Sequence, residues 1–253
     1  MLKTRVIPCL LLRGQGLVKT TRFKDPKYVG DPINAIRIFN DKEVDELVLL
    51  DITASREGRE PAYATIEEVA GECFMPLAYG GGIASVDQAR RILRLGVEKV
   101  IFNRTAWTAP QVLRDASRAF GSQAIVASID ARRKLLGRYE VVVEGGTRGT
   151  GIDPVDHARR MEDAGAGEIL LNSIDRDGTM KGYDTELIAK VSAAVGIPVI
   201  AAGGAGTIDH FRAAIQDGGC AAVAAGAMFV FHGPHRAVLI TYPARAQLES
   251  VLP

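Results

Sequence analysis

The sequence predicts an α/β protein of the (β/α)8 TIM-barrel class with an internal half-barrel repeat, and three observations carry that prediction. The stretch MPLAYGGGIASVDQARRILRLGVEKVIFNR (75–104) recurs as IPVIAAGGAGTIDHFRAAIQDGGCAAVAAG (197–226) at a constant offset of 122 without a gap, so that Gly81 falls on Gly203 and Gly82 on Gly204. The same offset lays DELVLLDITAS (45–55) over GEILLNSIDRD (167–177), and an offset of 119 lays VIPCLL (6–11) over IVASID (125–130). Each copy reads as an apolar run entered through Pro76 or Pro198, a glycine turn, an amphipathic helix, a glycine stop and a second apolar run. Unbroken apolar runs are how parallel strands covered on both faces are written. Two halves of four strand–helix units each fill a chain of 253 residues, the usual size of such a barrel.

With 47% apolar residues and no linker, low-complexity tract or charge block, the chain is expected to form one domain over 1–253. A net charge of +1 argues against a nucleic-acid partner, which needs a concentrated basic surface. The apolar start VIPCLLL, flanked by Arg5 and Arg13, is too short to span a membrane and has no signal cleavage site after it, so a cytoplasmic location is expected. Three cysteines without C-x-x-C spacing read as small buried hydrophobes. In HGPH, His232 and His235 flank Pro234; a turn is the expectation, and neither a metal site nor a cofactor is expected.

Taken in order, strand 1 is expected at Arg5 to Leu11, followed by a long polar loop and a helix opened by Asp31 as N-cap and Pro32 as first residue. Strand 2 covers Glu46 to Ile52, with a helix from about Tyr63 to Cys73. Strand 3 ends at the Gly80–Gly82 turn, and strand 4 is Lys99 to Asn103. A helix after Thr108 runs to Gly121, with strand 5 at Ala124 to Asp130. The alternating residues 131–150 read as a β-hairpin inserted there. Asp153-Pro154 opens the next helix, strand 6 is Glu168 to Asn172, and Asp184 caps the helix that follows; strands 7 and 8 lie in the second glycine unit. The tail from Met228 onward, with Pro234, Pro243 and Pro253, reads as a poor last helix.

Active sites of these barrels sit at the C-terminal ends of the strands. That rule selects Asp51, Asn103, Asp130, Asn172, Ser173, Asp177 and, in the first loop, Lys19. A carboxylate ending the apolar run AIVASID is costly unless it is hydrogen-bonded or works as an acid or base, so Asp130 is either catalytic or the anchor of the hairpin. Asp177 is a site residue or a turn-former before Gly178, and Lys19 a mobile cation able to close over a phosphate or a solvated loop lysine. The two glycine turns, each between a strand and a helix, let the backbone approach an anion and predict two phosphate-sized sites.

At the opposite ends Arg5, Glu46, Lys99 and Glu168 begin strands 1, 2, 4 and 6. If they point inward, counting by two makes Leu11, Asn103 and Asn172 inward as well, and the four charges form a ring at the barrel floor; the plain alternative is ordinary surface charge.

The motifs RVIPCL, DELVLLDITAS, YGGGI, GSQAIVASIDA, GAGEILLNSIDRDGTMKGYD and IAAGGAG resemble the cyclase subunit of imidazole glycerol phosphate synthase over residues 1 to about 230. The resemblance implies a lyase-class barrel docked at its floor on a glutaminase subunit as a heterodimer. It admits ammonia past the charged gate of Arg5, Glu46, Lys99 and Glu168, and uses it at the top on a bisphosphorylated ribulosyl aminoimidazole substrate. It implies phosphate grips at Gly81, Gly82 and Asn103 on one side and at Asp177, Gly178, Gly203, Gly204, Ala225 and Gly226 on the other, with Lys19 in a mobile loop. The family pattern continues IPCL with one of two catalytic Asp residues, at the ends of strands 1 and 5; here that position is Leu11, and only Asp130 remains. Arg104 stands where the family carries a small hydroxyl residue, and HGPHRAVLITYP replaces a regular last helix.

Three functions follow. Divergent relatives of the pair are associated with surface-polysaccharide sugar pathways, in which ammonia is handed to a separate sugar amidotransferase; the missing carboxylate points to that reading. The others are the ordinary histidine-pathway cyclase and a glutaminase activator without chemistry of its own.

Overall fold

The computed structural model describes residues 4–252. Eight strands run parallel and close on themselves: β1 (Arg5–Arg13), β2 (Leu47–Asp51), β3 (Leu77–Gly80), β4 (Lys99–Phe102), β5 (Ile125–Arg133), β6 (Glu168–Ser173), β7 (Val199–Ala202) and β8 (Ala222–Ala225). Each pairs with its neighbour in sequence, and β8 pairs back onto β1 with Arg5 opposite Ala222, so the ring has no free edge. The barrel that the repeat predicts is the barrel that forms.

Helices α1 (Pro32–Asp41), α2 (Tyr63–Glu72), α3 (Val86–Arg94), α4 (Pro110–Phe120), α5 (Pro154–Asp163), α6 (Thr185–Ser192) and α7 (Ile208–Gln216) return the chain between strands, and a one-turn α8 (Arg245–Glu249) lies in the tail. The expected caps do their work: the side chains of Asp31, Asp153 and Asp184 accept from the amides of Asn34, Val155 and Leu187 at 3.0, 2.8 and 3.2 Å.

Strand parity divides the core in two. Alternate residues facing the helices (Val6, Leu10, Leu47, Leu49, Ile169, Leu171) join the large outer core. The others, Ile7, Val48, Ala78, Ile101, Val126, Leu170, Ile200, Ala202, Ala222 and Ala224, with Cys9 and Leu50 against them, fill the barrel interior. Alanines on the adjacent strands β7 and β8 line one side of that interior with small side chains, and Ala78 of β3 adds another across the barrel.

The expected polar loop after strand 1 is instead an antiparallel excursion. Strand β1 runs on to Arg13, Gly16–Thr21 pairs back along it with Val18 opposite Leu11, and Lys24–Gly30 pairs with that strand in turn. Their two-residue connection, Arg22-Phe23, has φ of 54° and 62° at non-glycine residues. The insertion after strand 5 is the hairpin expected: β5 continues past Asp130 and pairs antiparallel with Tyr139–Val143. The tail holds a small hairpin, Phe231–His232 against Ala237–Val238, with His235 in the turn that Pro234 predicts. Pro253 lies outside the described residues. Among the described residues no helix is long and apolar enough to cross a membrane, and no cluster of three or more His, Cys, Asp or Glu side chains could hold a metal.

Candidate active site

The inward parity counted from the sequence brings Arg5, Glu46, Lys99 and Glu168 together at the strand starts. Arg5 bridges Glu46 and Glu168 (2.6 Å to the latter), and Lys99 Nζ lies 3.0 Å from Glu46 and 2.9 Å from Glu168. Each charge meets two of opposite sign in a closed ring. Glu46, 3% exposed, is the deepest member, and Arg5, 28% exposed, opens most to solvent.

At the other end lies a cavity walled by residues from the ends of all eight strands and the loops that follow them. Asp130 ends its inward row there, 9% exposed, with Oδ2 accepting from Asn103 Nδ2 at 3.0 Å. Burial pushes the Asp130 carboxyl up to about 7; the amide of Asn103 opposes that rise, and the nearby charge of Asp177 adds to it. A carboxyl poised there can take or give a proton at neutral pH. Asn103 also donates to Ser128 O at 3.1 Å, so its side-chain amide is held between the β5 backbone and Asp130.

Leu11 stands in the same cavity wall, 9% exposed, on the inward row Arg5–Ile7–Cys9–Leu11 of β1. Asp177 lines the cavity: its Oδ2 accepts from Thr20 Oγ1 at 2.8 Å and from the amide of Phe23 at 3.3 Å, tying the loop after β6 to the excursion after β1. Its carboxyl is raised by burial, against Lys19 and the Thr20 hydroxyl.

Lys19 departs from expectation. It lies in a strand, 6% exposed, with Nζ donating to Cys9 O at 2.5 Å, and burial lowers its pKa. The space it fills is left by Gly226, where a Cβ would come 1.9 Å from Lys19 Nζ. It is a seated cation in the wall, not a solvated loop lysine.

Both glycine pairs line the cavity at positive φ: Gly81 and Gly82 at 128° and 72°, Gly203 and Gly204 at 85° and 121°. A Cβ on Gly81 would meet Asp51 O at 2.6 Å, and one on Gly204 would meet Gly182 O at 2.2 Å, so both turns require glycine. Of the two helices that follow, α7 has no side-chain cap at Thr207 among the described residues, whereas α3 has one. Helix α3 is capped by its own Ser85, which accepts from Gln88 N at 3.2 Å, while Gln88 Oε1 accepts from Ala84 N at 2.7 Å. Two short helices absent from the sequence reading, Arg104–Thr108 and Ala227–Val230, begin at the wall behind Asn103 and Gly226 and lack side-chain caps. Ala225 and Gly226 therefore lie beside a helix start with no side-chain cap among the described residues.

By parity Asp51 and Ser173 fall on the outward rows of β2 and β6, though Asp51 still lines the cavity. The Asp51 carboxylate is held by Thr53 and Ala54 at 3.0 Å and by Arg59 at 3.4 Å, and anchors its own turn. Ser173 lies behind the wall, its carbonyl accepting from Asp177 N at 3.0 Å. Asn172 faces in, with Oδ1 buried and without a partner among the described residues; Gly178 packs on Thr20 O. The sequence reading missed Phe23, Ser55, Arg56 and Glu144, which rim the mouth.

A family model described as histidine biosynthesis protein matches residues 5–234. The chain belongs to that family. It is 56% identical over 249 residues to a protein of Pseudomonas aeruginosa provisionally named imidazole glycerol phosphate synthase subunit hisF2, covering 98% of this chain and 99% of that one. It is 50% identical over 254 residues to a Leptospira borgpetersenii protein provisionally named subunit HisF of the same synthase, covering both chains completely. To the imidazole glycerol phosphate synthase subunit HisF of Streptomyces avermitilis it is 46% identical over 231 residues, 91% of each chain. The family resemblance read from the motifs thus extends along the whole barrel.

Proposed function

We propose that this chain is a barrel of the imidazole glycerol phosphate synthase cyclase-subunit type that takes ammonia from a glutaminase docked at its floor. We further propose that its top has turned from ring closure to a different nitrogen acceptor, a sugar of a surface-polysaccharide pathway, with a separate sugar amidotransferase as the recipient of ammonia. One observation carries the change of acceptor: the inward position that pairs with Asp130 across the repeat is Leu11, which cannot move a proton.

The conduit follows from the interior. Ammonia entering at the floor meets the ion ring, in which Arg5 is the most exposed member and the one whose swing opens a gap. Beyond it the small side chains of Ala78, Ala222, Ala224 and Ala202 border the way to the mouth. There the Asp130 carboxyl, raised by burial to about 7, can exchange a proton with the nitrogen before it passes to the amidotransferase. Ring closure asks for a second group, and general acid–base help of that kind is worth roughly 10² to 10⁴ in rate. The glycine pairs and the two short helices hold the acceptor's anionic ends.

The ordinary histidine-pathway cyclase is the second reading, favoured by the retained Asn103–Asp130 pair. The experiment is to mix the chain with a glutaminase of the synthase type and with ammonium salt plus the bisphosphorylated substrate. The proposal expects a 1:1 complex and cyclisation orders of magnitude below that of a two-Asp relative. A rate of roughly 1 per second or more, ordinary for an enzyme, supports the second reading.

A further inference from the structure

The two halves of the barrel are not equivalent at their anion grips. The offset of 122 that superposes Gly81 on Gly203 also superposes Arg104 on Gly226, Arg56 on Gly178 and Ser55 on Asp177. In the second half both arginine positions are glycines, and the bare Gly226 makes room for the seated amine of Lys19. In the first half the same two positions carry guanidinium groups, and both line the cavity.

Ser55 fixes where they lie relative to the glycine turn. Its Oγ accepts from Gly82 N at 3.3 Å and its carbonyl accepts from Arg104 Nη1 at 3.3 Å, so one residue spans from the grip's amide to the guanidinium. Arg104 is also the first residue of the short uncapped helix behind Asn103. Turn, helix end and guanidinium therefore converge. The Arg56 side chain runs along the mouth, its Cδ 3.1 Å from where a Cβ on Gly145 would sit.

A glycine turn offers backbone N–H donors suited to one phosphoryl group. Two guanidinium forks lining the same cavity can match oxygens beyond that group's reach. The carboxylate now paired with Arg104 is Glu144 Oε1 at 3.5 Å, which also lies 3.4 Å from Arg148 Nη1. An anion that takes Arg104 leaves Glu144 with Arg148, so no charge is stranded. We infer that the first grip, around Gly82 and Arg104, takes a diphosphate, while the second, around Gly204 and Lys19, takes a monophosphate, and that Arg104 is the residue that sets this difference.

This deepens the reading of two anion grips and rests on it. The test is calorimetric titration of the chain with inorganic phosphate and with inorganic pyrophosphate, for the native protein, Arg104→Thr and Arg56→Ser. All three should fold, since both arginines are well exposed. The native protein should bind pyrophosphate at one site about tenfold or more tighter than phosphate, the ratio expected of one added charged hydrogen-bonding contact. Arg104→Thr should reduce that preference to within about twofold and leave phosphate at the other site unchanged, with Arg56→Ser intermediate. Pyrophosphate no tighter than phosphate on the native protein, or a preference that survives in Arg104→Thr, overturns the inference. If phosphate binds at both grips in that case, the two-grip reading stands without it; if neither ion binds, both fall.

Discussion

Leu11 and Asp130 occupy equivalent inward positions in the two halves of the barrel, related by the offset of 119, and both line the cavity at the strand ends. One side chain titrates near neutrality and the other does not titrate at all. That asymmetry, inside a fold that otherwise repeats itself, is what separates this chain's top from a two-carboxylate site.

The pKa of Asp130 makes stability depend on pH. An unfolded chain holds Asp at about 3.9, and burial raises the folded value to about 7. A raised folded pKa means that the contribution is intact below about pH 4 and is lost as pH climbs through about 7. Asp130→Asn does not titrate, so it should gain on the native protein between these limits, by roughly 1–4 kcal/mol, the upper end being the full shift at 1.36 kcal/mol per unit. Denaturant unfolding of both proteins at about pH 5 and about pH 8 measures it; parallel curves would mean that Asp130 is ionised throughout.

The ion ring should prove structural before it proves functional. Glu46 is almost fully buried and pairs with both Arg5 and Lys99, so Glu46→Gln leaves the two cations sharing Glu168 alone, with one positive charge unbalanced, and should cost about 3–5 kcal/mol. Arg5→Lys retains one charge at the most exposed corner and should cost about 1 kcal/mol or less, while changing how glutamine hydrolysis couples to ammonia use. Thermal unfolding and the ratio of ammonia used to glutamine hydrolysed read the two effects separately. Equal stability losses in the two variants would contradict the ranking of the corners.

Gly204→Ala should be among the most damaging single-methyl changes in the chain. The residue has φ of 121° and its new Cβ would lie 2.2 Å from Gly182 O, backbone that no side-chain rotation can relieve. A loss of roughly 2–4 kcal/mol is expected, with phosphate binding at that grip abolished. Gly14→Ala, also at positive φ but with nothing within 4 Å, should cost only about 1 kcal/mol. Denaturation of the pair tests whether close approach, beyond φ alone, dictates the glycine.

The barrel was legible because its two halves print the same pattern twice, and the ring because strands alternate by two from Arg5, Glu46, Lys99 and Glu168. The same counting puts Asp51 and Ser173 on the outward rows, although Asp51 still reaches the cavity from the turn after β2. The excursion after β1 was not legible: its tight turn is made by Arg22 and Phe23 at positive φ, where Asn-Gly is the recognisable signal. Without that turn Lys19 reads as a loop residue; with it, Lys19 lies in a strand against Cys9. The short helices at Arg104 and Ala227 span 5 and 4 residues, too few for a helical period to register. Their existence could have been inferred only from the repeat, since Asn103 and Ala225 fall on each other.

The most direct test of the account is cyclisation of the bisphosphorylated ribulosyl aminoimidazole substrate by native protein and by Leu11→Asp, with ammonium salt as nitrogen source. The substitution sets a carboxylate into a wall that is 9% exposed at that residue, at a cost of about 1–3 kcal/mol in stability, which unfolding curves should register. The account predicts that native protein cyclises orders of magnitude more slowly than a two-Asp relative. Leu11→Asp should recover part of the loss, with Arg104 and the altered tail holding back the remainder. Native turnover of roughly 1 per second or more, unimproved by the substitution, would contradict it.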